Sequence, residues 1–97
     1  MLDTLKKTSQ GNPGCLLMLI EIIEHHQNAF FDVVDILTEH DIRGSRAYML
    51  WNDICERDTS KLISYVYMIR DGSLSMDVVN AHLSGGRGRP FTDDELQ

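Results

Sequence analysis

Residues 28–54, NAFFDVVDILTEHDIRGSRAYMLWNDI, hold two amphipathic segments in succession. In the first, Phe30, Val33, Val34 and Leu37 recur at the i, i+3, i+4, i+7 spacing that gathers side chains on one face of an α-helix, while Asp32, Asp35 and Glu39 occupy the other. In the second, Ala47, Leu50, Trp51 and Ile54 repeat the interval. A half-buried strand would alternate with a period of two, and neither segment does. Asn28 has the side chain to cap the first helix, and the second is expected to end near Glu56.

The same pattern extends in both directions. Asn12-Pro13 is a helix start, an amide cap followed by a residue with no N–H to orphan, and it predicts a helix over about 13–26. Leu16, Leu19, Ile20 and Ile23 form one face of it, and Leu17, Met18 and Ile22 cover most of the rest. Such a helix is either central in its own fold or paired with a second copy, the commonest closed assembly. Downstream, Asp58 caps a helix with Leu62, Tyr65, Val66 and Ile69 on one side, widened by Ile63 and Tyr67 and closed by the left-handed signal Asp71-Gly72. Ser75 caps a last helix ending at Gly85, with Leu74 placed to staple onto Val79. The expected fold is all-α, a compact bundle of four to five short helices in a single domain over 13–85. Residues 1–12 are expected as a flexible arm, and 86–97 as an extended or disordered tail anchored by Phe91.

A hydrophobic share of 42% with 25% charged residues is ordinary for a globular chain of 97 residues, so one core is expected. The longest apolar run, Cys15 to Ile20, is too short to span a bilayer. Lys6 and Lys7 lead into polar residues instead of the apolar stretch of a secretory signal, so a cytoplasmic protein with reduced thiols is expected. The net charge of −6 is uneven: residues 13–42 contain six acids and no Lys or Arg, whereas 43–90 carry seven basic residues against five acids. The acidic front suits a basic partner and opposes a nucleic-acid backbone.

No residue pattern carries recognisable reaction chemistry. His25, His26, His40, His82, Cys15 and Cys55 offer no pair at zinc-ligand spacing, and neighbouring His25 and His26 point about 100° apart on a helix. Glu21 and Glu24 lack the histidine three residues on that a di-iron bundle needs. A calcium loop framed on Gly72 would place Tyr67, Ile69 and Val78 where oxygen ligands belong. The tail glycines lack the Gly-Lys-Ser/Thr of a phosphate loop. The expectation is a non-enzymatic protein with no cofactor and no metal.

Residues 33–51, VVDILTEHDIRGSRAYMLW, resemble a helix-turn-helix unit of bacterial regulators, with Ile42 plugging the turn and Ala47 and Leu50 at packing positions. The resemblance implies that Arg43, Ser45 and Arg46 front a recognition helix. Asp41 departs from it, standing where glycine is usual. Arg87-Gly-Arg-Pro90 looks like the core of an AT-hook, which implies minor-groove contacts by Arg87 and Arg89, although Asp93, Asp94 and Glu95 follow closely. The string DIRGSRAYMLWNDICERDTSKL is similar to short proteins carried by prophages and integrative elements of Gram-positive bacteria. That likeness implies an accessory protein of a mobile genetic element.

Together these features favour a helical protein that binds a basic protein partner or itself, without a membrane role. The residues expected at such an interface are Leu17, Met18 and Ile22, the acids Asp32, Asp35 and Glu39, and Met49. The alternatives are a helix-turn-helix DNA-binding regulator and an acidic inhibitor of a host nucleic-acid-binding enzyme.

Overall fold

A computed structural model of the chain describes residues 2–85 and 89–96. It is all-helical among the described residues, with six α-helices: α1 (Leu2–Ser9), α2 (Pro13–His25), α3 (Phe30–Glu39), α4 (Ser45–Ile54), α5 (Thr59–Asp71) and α6 (Met76–Ser84). The expected four to five helices omitted α1, which lies where a flexible arm was expected. Its buried stripe is Leu5, Thr8 and Ser9, and it packs on α2 and α3. Two of those three residues are polar, so the helical face has almost no hydrophobic signature.

Packing groups the chain into two units, residues 1–48 and 49–97, with the division falling inside α4. Unit 1 closes over Cys15, Leu19, Ile22, Phe30, Val33 and Leu37, each essentially removed from solvent. Unit 2 closes over Trp51, Ile54, Cys55, Leu62, Tyr65, Val66 and Val79. Its aromatic side chains meet edge to face, Trp51 with Tyr65 at 6.3 Å and Tyr65 with Phe91 at 5.6 Å between ring centroids. Edge-to-face contact suits the ring quadrupoles and adds to the area they bury.

Local side-chain chemistry sets three of the six helix starts. The Asn12 amide oxygen accepts from the backbone N–H groups of Gly14 and Cys15 at 3.0 and 3.3 Å. The Asp58 carboxylate accepts from Ser60 and Lys61 at 2.9 and 3.4 Å, and the Ser75 hydroxyl accepts from Val78 at 3.2 Å. Each satisfies amides that the first turn of a helix leaves without a partner. Asn28 does not act as the expected cap. It lies inside a short 3-10 turn, Gln27–Ala29, and α3 starts behind Ala29 with no side-chain cap. The turn tightens the path from α2 into α3 and moves the helix start two residues past the asparagine.

Several helix ends use left-handed residues, only some of them glycine. After α3, Asp41 has φ 53°, its N–H reaches the Thr38 carbonyl, and the Ile42 N–H reaches back to Leu37. This is the paired closure of a Schellman turn, and Ile42 and Leu37, the two residues it brings together, are both buried. After α4, Glu56 and Arg57 are both left-handed, with φ 53° and 58°, and their amides bond to Asp53 and Asn52. Gly72 closes α5 at φ 86°, as Asp71-Gly72 predicts.

The buried stripes differ from the expected ones by a residue or so. In α3, Ile36 is buried and Val34 only half-buried, and in α4 the buried set is Tyr48, Trp51 and Ile54, with Ala47 and Leu50 half-buried. A face one residue wider than the core leaves such choices to packing. No helix among the described residues is long and apolar enough to cross a membrane.

Candidate protein-binding face

α2 and α3 each contribute exposed residues to the surface of unit 1. On α2, the side of Cys15, Met18, Leu19 and Ile22 is buried, which leaves Leu17, Glu21 and Glu24 outward, one helical turn apart. Leu17 is 67% exposed. On α3, Phe30, Val33, Ile36 and Leu37 turn inward, and Phe31, Asp35, Thr38 and Glu39 turn outward. Phe31 is 62% exposed, although its ring meets that of buried Phe30 edge to face at 5.2 Å and 71°. One aromatic ring is thus presented to solvent in a fixed orientation, where it loses little freedom on meeting a partner. No Lys or Arg lies between residues 13 and 42, so every full charge on this stretch is negative.

This arrangement keeps some expected interface residues and removes others. Leu17, Asp35 and Glu39 are exposed on unit 1, and Asp32 is half-buried. Met18 and Ile22 are 8% and 0% exposed, so their surface is consumed by the core of their own unit. The seam between two copies that was expected through helix one therefore loses two of its three residues. Within its own unit α2 packs on α1, on α3 and on the short turn between α2 and α3. Met49 is 64% exposed but belongs to unit 2. Phe31 was not among the expected residues. Its signal was available, since it lies off the 30, 33, 37 stripe and one turn before Asp35.

Two of the residues expected at a DNA surface, Arg43 and Arg89, are engaged within the chain. Arg43 has a side chain only 22% exposed; its Nη1 donates to the Lys7 carbonyl at 3.5 Å, and its Nε lies 3.7 Å from Asp41 Oδ1. It is spent tying the α3–α4 turn to the end of α1. Ser45 and Arg46 are exposed in the first turn of α4. Arg89 donates to both oxygens of Glu95, at 2.8 and 3.3 Å, so its guanidinium is neutralised within its own segment. Arg87 lies outside the described residues.

The cysteines are core residues. Burial pushes the Cys15 thiol up to about 11 against the opposing pull of Arg43, and the Cys55 thiol up to about 12 against that of Lys61. A thiol so raised is protonated at neutral pH and a poor nucleophile. Among the described residues no three His, Cys, Asp or Glu side chains converge to hold a metal ion. An open cleft of about 620 Å³ lies along α6, lined by Val78, Ala81, His82, Gly85, Arg89 and Glu95. Its charged groups are already paired with one another.

No family model, curated protein or solved structure matches the chain.

Proposed function

We propose that the chain is a non-enzymatic interaction protein whose first unit offers an acidic face, studded with Leu17 and Phe31, to a basic protein partner. The observation that carries this is Phe31, an aromatic side chain 62% exposed and braced by Phe30, within a stretch, residues 13–42, that holds six acids and no Lys or Arg. Fixed aromatic residues dominate the binding energy of protein interfaces, and surrounding charge sets the approach rate and the choice of partner. Self-association through this face is disfavoured, because two copies would oppose like charges at Glu21, Glu24, Asp35 and Glu39. A basic nucleic-acid-binding enzyme has the complementary surface, so an acidic inhibitor within a mobile genetic element is one form of the same proposal.

The test is affinity capture from the native host with the parent chain, a Leu17→Ala, Phe31→Ala variant and an Asp35→Asn, Glu39→Gln variant. Both pairs are exposed, so folding measured by circular dichroism should be retained. A basic protein held by the parent and lost by the first variant, with weaker and less salt-sensitive capture by the second, is the expected result. Identical capture by all three chains refutes the proposal.

DNA binding is the second reading, supported by the exposure of Ser45 and Arg46 at the start of α4. It predicts duplex binding that falls steeply with salt and is lost on Arg46→Ala. Absence of a mobility shift at low salt would dispose of it.

A further inference from the structure

His82 lies on α6 with its side chain only 6% exposed, and each ring nitrogen faces an acceptor. Nδ1 is 2.9 Å from Glu95 Oε2, and Nε2 is 2.7 Å from the backbone carbonyl oxygen of Arg89. A neutral imidazole has one N–H and one lone pair, so either tautomer sets a lone pair against an acceptor. Only the imidazolium donates to both. The Phe91 ring lies 4.4 Å from the imidazole, tilted by 40°, where an aromatic face also favours a cation.

The remaining polar contacts of Glu95 all stay within its own segment. Its carboxylate accepts from the Arg89 guanidinium, from the Thr92 N–H at 3.2 Å and from the Thr92 hydroxyl at 3.1 Å. These bonds shape residues 89–96 into a compact hook but do not fasten it to the helix. His82 supplies that fastening, together with Phe91, which is 8% exposed and packs on Tyr65 of α5. Among the described residues, the charged groups facing the imidazole are the Glu95 carboxylate and the Arg89 guanidinium paired with it. Tyr65, reached through Phe91, stays neutral because burial raises its phenol, and Asp77 on α6 itself is exposed.

We propose that His82 is a proton-operated latch: with both nitrogens protonated it clasps residues 89–96 onto α6, and on losing a proton it releases them. Histidine side chains change charge between about pH 5 and pH 8. Docking is favoured while both nitrogens carry protons, the form that the docked segment holds, and weakens when one of them is lost. The Glu95 carboxyl is held down to about 2, chiefly by the Arg89 guanidinium, so the hook keeps its shape and only its attachment changes. Release uncovers Phe91 and the ring face of Tyr65.

The test follows the Phe91–Tyr65 ring contact and the His82 ring protons by NMR across about pH 5 to pH 8 in the full chain. The undocked population is expected to rise as the His82 ring loses its second proton. A His82→Gln variant should show a partly undocked segment that no longer responds to pH in this range. Ring contacts of equal intensity at both ends of the titration would overturn the proposal. So would an undocking midpoint that differs from that of the His82 ring protons, a measurement that needs no variant. A pH response unchanged in the Gln variant would do the same.

Discussion

The turn between α4 and α5 places two consecutive non-glycine residues, Glu56 and Arg57, in the left-handed region, so replacing one with glycine should stabilise the fold. Arg57 is the better choice. Its side chain is 79% exposed, and its Nε lies 3.7 Å from Asp53 Oδ1. An exposed pair of that kind contributes no more than about 0.5 kcal/mol. Left-handed backbone costs a residue with a Cβ about 1–2 kcal/mol, and glycine escapes this. Against that gain, glycine makes the unfolded chain freer by about 0.5–1 kcal/mol.

Arg57→Ala keeps the strain and loses the ion pair, whereas Arg57→Gly loses both. The difference between the two variants isolates the backbone, and it should favour glycine by about 0.5–1 kcal/mol. Urea unfolding followed through Trp51, the only tryptophan, reads this directly because its burial lies in the same unit. The slope of the transition should be unchanged and the midpoint higher. An Arg57→Gly chain no more stable than Arg57→Ala would refute the left-handed turn and the helix boundary built on it.

Three further outcomes are expected. Asp58→Ala removes the cap of α5, with its bonds to Ser60 and Lys61, and should cost about 1 kcal/mol in the same unfolding assay. Cys15 and Cys55, with thiols raised to about 11 and 12, should resist iodoacetamide at mildly alkaline pH in the folded chain and react at ordinary rates in urea. The Glu95 carboxyl is held down to about 2, chiefly by the Arg89 guanidinium and then by the Thr92 backbone N–H, from an ordinary value of 4.5. A depressed carboxylate stabilises the folded form above its ordinary range and loses that contribution as pH falls toward the depressed value. The 89–96 hook should therefore loosen between pH 4.5 and about 2, and Glu95→Gln should abolish that acid transition in its NMR signals.

Much of the helical order was legible in local chemistry. Asn12, Asp58 and Ser75 cap their helices because a cap involves only the next two or three amides, which are always within reach. The α3–α4 turn was marked by Ile42, a buried plug in an otherwise polar stretch. α1 escaped notice because Thr8 and Ser9 do there what apolar residues usually do. Asn28 misled because a capping side chain is no help when the backbone enters a 3-10 turn first.

The candidate site was less legible for the same kind of reason. Leu17 and Ile22 are chemically alike and five residues apart in one apolar helix, yet one is 67% exposed and the other 0%. Arg43 and Arg89 read as free cations in one dimension. In three, Arg43 is committed to the Lys7 carbonyl and Arg89 to the Glu95 carboxylate.

By itself, the order of residues determined that this chain is helical, where most helices begin, and that its front half is acidic. Those properties depend on neighbours a few positions apart, where backbone geometry fixes which groups can meet. Tertiary structure alone decided which apolar side chains stay outside, which cations are spent, and that His82 faces two acceptors, because each depends on how the chain folds back on itself beyond a single helical turn.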